Sequence, residues 1–284
     1  MASLREIKQR INNVSSTEQI VKAMNMIAST KLHKARAQLE GVRPIYHKLT
    51  QTVQELGTCL KAQEHPFFKL REAKNSLYIV LTSDRGFSGG YNANIMAKAL
   101  EHMNQGKNEK LLVIGSKGHE YFKKRGKNIV RTITDVADAQ VYYGSESVAK
   151  WAADLYLSGE VDEVFIVYTQ FESLLNYIPH VDRLLPAFSD STAVDDDDRK
   201  FEPDIFTYID HIIPFYLHMS LFRAFSESHT SEQAARMVTM DAARKNAEDM
   251  IEELTRVFNR KRQAAITQEL SEIVGSAEVL NNFD

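Results

Sequence analysis

The sequence predicts an α/β domain carried on a long antiparallel coiled coil, and three features carry that expectation. Residues Phe215 to Val274 contain no proline and no glycine, and neither do Met1 to Glu40. Apolar residues recur through both stretches at helical spacing. Between them the pattern changes to short, wholly apolar runs separated by helical stretches, the alternation of an α/β layer with a mostly parallel sheet.

In the first 60 residues the positions alternating by three and four are Leu4, Ile7, Ile11, Val14, Glu18, Val21, Asn25, Ala28, Leu32, Ala35, Leu39 and Val42. The ladder continues as Tyr46, Leu49, Val53, Leu56 and Leu60. A sustained 3–4 spacing specifies a left-handed coiled coil. Gly41 and Pro44 interrupt the run, and a bend or loosened turn is expected there. At the far end Met237, Met240, Ala247, Ile251, Leu254 and Phe258 keep the spacing, and it slips between Phe258 and Ile266. Proline and glycine cost about 3 and about 1 kcal/mol in a helix interior, so their absence lets one helix run, roughly 90 Å at 1.5 Å per residue. A helix that long needs a partner along its length, and the N-terminal ladder supplies it. The expected organisation is a helix over 1–60, an α/β domain over 75–195 inserted between the arms, and a helix over 207–284 returning against the first.

The central elements follow in order. Leu77–Leu81 reads as a buried strand, Tyr91–His102 as a helix, Leu111–Ile114 as a strand, and a helix then reaches about Lys124. Ile129–Ile133, Val164–Tyr168 and Ile178–Leu185 read as further strands, and Ser145–Leu157 as a helix. Asp195 to Asp198 closes the domain. That acidic run is read as a solvated loop rather than a cation site, because like charges repel and nothing in its spacing shapes a calcium loop.

Composition bounds the function. No apolar run reaches 18 residues, so no membrane-spanning helix is expected, and the charged N-terminus does not read as a secretory signal. The single cysteine, Cys59, excludes an internal disulfide and a cysteine-based zinc site. Net charge is −3, yet residues 1–48 hold nine Lys and Arg against three Glu, and residues 254–267 carry +4 with no acid. Basic helix faces fit an acidic partner, whether nucleic acid, anionic lipid or protein, although a solvated face is the plainer reading for any one residue. The basic residues are not interleaved with aromatics, which argues against single-strand binding.

No catalytic set emerges among the nine histidines; His211 and His218, seven apart, lack a carboxylate at ligand spacing and read as surface or packing residues. No cofactor is expected. Met24, Met26, Met237 and Met240 read as core. The loop Gly86-Phe87-Ser88-Gly89-Gly90 lies between a strand and a helix, where α/β proteins bind phosphate. It matches neither G-x-G-x-x-G nor G-x-x-x-x-G-K-[ST], and Gln105-Gly106-Lys107 stands where a ribose acid would fall, so the glycines read as permitting a tight turn.

Four stretches together resemble one family, the gamma subunit of F-type ATP synthases. They are Arg5–Ile11 with Gln19–Ala28, Lys31 and Leu32; Ser83–Asn92; Ser231–Met237; and Asn259–Arg260 with Arg262–Ala264, then Ile266–Leu270 and Glu272–Gly275. Ser276 stands where the family usually has alanine. The resemblance covers essentially the whole chain, and its C-terminal stretch is the most specific. The chloroplast insertion with paired cysteines is absent and no transit peptide is recognised, which points to a bacterial form.

The resemblance implies a coiled-coil shaft inside a ring of alternating alpha and beta subunits, with a Rossmann-like α/β domain outside it near the membrane, against the epsilon subunit and the c-ring. Proton flow would turn the c-ring and the shaft; the chain itself would catalyse nothing, would bind no nucleic acid, and would reach the cytoplasmic face of the cell membrane only through the complex. It implies that Arg262, Gln263, Thr267 and Glu269 face a beta-subunit loop, with Met24 packed beside them, and that Phe201, Glu202 and Tyr208 form a foot against the c-ring or epsilon. The competing readings are a Rossmann-like nucleotide-binding enzyme with helical arms and a coiled-coil scaffold.

Overall fold

The computed structural model describes residues 3–103, 108–135, 141–187 and 201–281. Eleven elements follow one another: α1 (Leu4–Gly57), α2 (Leu60–Gln63), β1 (Asn75–Leu81), α3 (Tyr91–Met103), β2 (Asn108–Ile114), α4 (Ser116–Lys124), β3 (Ile129–Ile133), α5 (Val141–Leu157), β4 (Glu163–Phe171), β5 (Tyr177–Leu185) and α6 (Ile205–Asn281). The acidic run Asp195 to Asp198 and Gln105 to Lys107 lie outside the described residues.

The chain divides into two compact units: Ala28–Arg236, and Met1–Ile27 with Met237–Asp284. This differs from the expected division, because the unit built on the sheet takes in the inner half of each long helix. Helix partners descend along α6 as they ascend along α1. Asn25 meets Met237, Arg43 meets Glu227, and Tyr46 stacks on Tyr216, so the pair is antiparallel.

In the larger unit the sheet order is β3-β2-β1-β4-β5, parallel except for β5. Its strands are apolar on both sides because helices cover both faces. Leu77, Ile79, Leu112 and Ile166 face α5, the end of α1 and the start of α6; Tyr78, Val80, Leu111 and Val113 face α3 and α4. The α1 ladder is buried from Ala28 to Leu56 without exception save Tyr46, which is half-buried. Leu60 leaves the ladder: α1 has ended at Gly57, and Leu60 is exposed at the start of α2. Gly41 and Pro44 do not end the helix. Both residues lie on the exposed face, and α1 continues through them. Likewise α6 starts upstream of the proline-free stretch and runs through Pro214. Cys59 is buried, as expected of a small apolar residue.

In the smaller unit two helices cover only one stripe of each other. Ile7 and Met240 are buried, while Ile11, Val14, Val21, Met237, Ile251, Leu254 and Phe258 are half-buried. Met26, read as core, is 65% exposed, because it falls off the 3–4 ladder by one residue beyond Asn25.

Candidate contact faces of the helices and the sheet

The C-terminal end of α6 is built by a length mismatch. Asn25 Nδ2 donates to the Met237 carbonyl at 3.2 Å, which sets the register of the smaller unit. Counting back 21 residues to Leu4, where α1 begins, brings α6 to about Phe258. The half-buried seam keeps its spacing to Lys261 and Ala265, three and four apart, while the apolar residues shift one place off it to Ile266, the slip expected after Phe258. Beyond Ala265 every described side chain to Ser276 is exposed. Ile266, Leu270, Ile273 and Val274 remain 49–65% exposed. Their spacing of four, three and one places them on one stripe of the helix. At about 100° per residue this stripe is centred roughly 130° around the helix from the half-buried seam of Phe258, Lys261 and Ala265, at a level where α1 has ended.

Arg262, Gln263, Thr267 and Glu269 are all exposed. At about 100° per residue, Arg262 and Glu269 flank one side of that stripe and Thr267 the other, while Gln263 falls within it between Leu270 and Val274. The Thr267 hydroxyl donates to the Gln263 carbonyl at 2.9 Å, a local bond within the helix. Met24 is not beside them. It adjoins Asn25 and hence the turn at Met237, and Arg262 lies 25 residues further along α6 (262 less 237), roughly 37 Å at 1.5 Å per residue. An antiparallel pair puts residues early in α1 opposite residues late in α6, and Met24 is not early enough.

The expected foot is split. Phe201 and Tyr208 are half-buried, meet as tilted rings with centroids 5.6 Å apart, and pack on the domain's own core. Glu202 alone is exposed. Asp204 starts α6: its carboxylate accepts from the Thr207 N–H at 3.0 Å and the Thr207 hydroxyl at 2.7 Å, the side-chain cap that an orphan helix N–H requires.

The glycine loop after β1 forms a self-contained turn. Asn92 holds Ser83 through two bonds: the Ser83 N–H donates to its amide oxygen at 3.0 Å, and its amide nitrogen donates to the Ser83 hydroxyl at 2.6 Å. The left-handed residues are Phe87 (φ 62°) and Gly89 (φ 55°), so only one of the three glycines supplies the expected conformation. Two features occupy the place where a doubly wound domain takes an anion. The Asp84 carboxylate accepts from both the backbone N–H and the hydroxyl of Ser116 at 2.9 Å, filling the N-terminus of α4 with the protein's own charge. Phe225, Ser228, His229 and Glu232 of α6 line the space beyond β1 and β2, leaving a cavity of about 90 Å³. Small-molecule sites usually need ~300 Å³ or more. Among the described residues no group of three acidic, histidine or cysteine side chains is placed to hold a metal. His211 is exposed, while His218 is buried with Nε2 3.1 Å from the Tyr142 carbonyl.

The functional stretch that sequence reasoning passed over is Ser226 to Gln233, eight polar residues in succession inside a helix. None of the eight is exposed: Ser226, Glu227, Ser228, Thr230, Ser231 and Gln233 are buried and His229 and Glu232 half-buried. A buried helix without an apolar stripe requires polar partners, and the run itself was the signal.

The family model for ATP synthase matches residues 3–280. The chain is 39% identical over 281 residues to the ATP synthase gamma chain of Moorella thermoacetica, covering 99% of this chain and 100% of that one. It is 38% identical over 284 residues to the gamma chain of Alkaliphilus metalliredigens, with 98% of each covered. The chain belongs to the ATP synthase gamma-chain family. Among solved structures it is similar in fold to a chain of the Euglena gracilis mitochondrial ATP synthase in the assembly of OSCP, F1 and c-ring, with a TM-score of 0.71 at 20% identity, over 98% of this chain and 94% of that one. It is also similar to a chain of the central stalk and c-ring of the Tetrahymena thermophila enzyme, with a TM-score of 0.64 at 23% identity, over 79% of this chain and 99% of that one. For a gamma chain the faces described above are contact surfaces, not reaction centres. No helix among the described residues is long and apolar enough to cross a membrane.

Proposed function

We propose that the chain is the central rotor shaft of an ATP synthase, turning inside the alpha–beta ring and joined to the epsilon subunit and the c-ring at its sheet-bearing domain. Its membrane association is peripheral and made through the c-ring, on the cytoplasmic face of a bacterial membrane. The observation that carries this reading is the bare apolar stripe Ile266, Leu270, Ile273 and Val274 on a helix that has outrun its partner. A helix end with an uncovered apolar face is matched by a surrounding partner rather than by water. Arg262, Thr267 and Glu269 border the stripe and Gln263 lies within it, so a stator loop meeting this end encounters charge on one side and amide and hydroxyl toward the other. A face that differs around its circumference is what a shaft needs, because a uniform one binds every state of its neighbours equally and biases none. Met24 belongs to a second contact region near Met237, and Glu202 is the exposed member of the foot.

The test is co-purification from detergent-solubilised membranes followed by ATP synthesis and ATP-driven proton pumping in vesicles. The reading expects alpha, beta, epsilon and c subunits with the chain. Recovery of the chain without them overturns it.

A further inference from the structure

We infer that Glu227 and Arg43 form the torsional joint that fixes the sheet-bearing domain to helix α6; the inference rests on the rotor reading above. It begins with a gap in the sheet. The ladder between β1 and β4 ends at Val80 and Val167, so the remainder of β4 extends past its neighbour. On that side the N–H and C=O groups of Thr169 and Phe171 have no strand to bond, and backbone groups left bare in a core are strongly destabilising. Side chains of the two long helices take all four. The Thr169 N–H donates to Ser228 Oγ at 3.0 Å, and Ser231 Oγ donates to the Thr169 carbonyl at 3.2 Å. The Phe171 N–H donates to Glu227 Oε2 at 2.6 Å, and Arg43 Nη2 donates to the Phe171 carbonyl at 2.7 Å. Helix α6 thus stands in for the missing strand.

The ionic centre closes the arrangement. Arg43 of α1 holds Glu227 of α6 through Nε at 3.1 Å and Nη2 at 3.0 Å, and the Glu227 side chain is only 3% exposed. One bonded set therefore ties α1, α6 and β4 together. Bonds to fixed backbone atoms resist rotation of a helix about its own axis, whereas apolar contacts are non-directional and resist it less. Twist applied to the sheet enters α6 at Glu227. Removing Arg43 leaves Glu227 as a buried, unpaired charge, and removing the Glu227 charge takes away the anchor of the part-exposed Arg43; either slackens the joint.

The experiment uses the complete ATP synthase with its stator fixed and the rotor stalled, and reads the thermal variance of rotor angle from a probe on the c-ring. Glu227→Gln keeps shape and removes charge, and Arg43→Ala removes the bridge. Both are expected to raise the variance roughly twofold or more in assembled complexes while unloaded ATP hydrolysis continues, and Arg43→Lys to restore part of the stiffness. A general loss of stability would lower the yield of complex and leave the variance of the assembled fraction unchanged. If Glu227→Gln does not assemble, Ser231→Ala, which removes only the bond to the Thr169 carbonyl, and Arg43→Lys carry the test. Wild-type variance in the assembled variants overturns the joint. A wild-type chain that fails to assemble with the other subunits overturns the rotor reading instead.

Discussion

Gly115 shows how tightly single positions are held. It sits at the end of β2 with φ +99°, and an added Cβ would lie 2.3 Å from the Thr82 carbonyl oxygen. Neither the backbone angle nor the space admits a side chain, and Thr82 is fixed because its hydroxyl donates to the Ile114 carbonyl at 2.8 Å. Gly115→Ala is expected to destabilise the sheet-bearing unit by about 1–3 kcal/mol or more, read as a lower midpoint in thermal unfolding. Asp204 is a residue-scale effect with a pH signature. The Thr207 hydroxyl and then the Thr207 N–H hold its carboxyl below the ordinary value of 3.8. A folded value lowered in this way favours the charged form, so the cap's contribution is complete above pH 3.8 and is lost as pH falls through the folded value. Protection of the Thr207 amide against hydrogen exchange should fall in that acid window, and Asp204→Asn should remove the pH dependence.

At the scale of elements, α1 is one helix in two environments. From Ala28 to Leu56 its ladder is covered by α6 and the sheet, whereas from Leu4 to Val21 it has α6 alone. Leu39 is 1% exposed, and Leu39→Ala is expected to cost about 2–5 kcal/mol through lost burial and the cavity left behind. The half-buried ladder between Leu4 and Val21 gains less from each contact. In the isolated chain its amides should exchange much faster than those of residues 28–56, and equal slow exchange along the whole of α1 would refute this account. Pro44 remains compatible with α1 because packing outweighs the single hydrogen bond it removes.

At the scale of the whole molecule, function depends on faces that the chain cannot satisfy alone. Arg262→Ala and Glu269→Ala remove exposed groups, so the isolated chain should be unaffected, since exposed charges contribute only about 0–1 kcal/mol. Enclosed by a partner, loss of one member of a desolvated pair costs roughly 2–5 kcal/mol. Both variants are therefore expected to assemble normally and to lower ATP synthesis and ATP-driven proton pumping in vesicles, with assembly checked by blot. Met24→Lys should act separately, because it lies at the Met237 turn; combined with Glu269→Ala, its effect should add rather than merge. Wild-type rates in all variants would assign these residues to solvated surface.

The sequence by itself determined the elements that depend on local pattern. The 3–4 ladder fixed the inward side of α1, every ladder position from Ile7 to Leu56 being buried or half-buried, because side-chain direction in a helix follows from position alone. Apolar runs fixed β1, β2 and β4, since a strand covered on both faces can hold nothing else. Tertiary structure decided what depends on which segment ends where. Helix α6 outruns α1, so the apolar residues past Ala265, slipped off the seam as the spacing indicates, form an open stripe, and Met24 is carried far from Arg262. The polar run Ser226 to Gln233 reads locally as a solvated face. It is buried because β4 extends past β1 and leaves four backbone groups for a helix to satisfy, a demand created by two strand ends far apart in the chain.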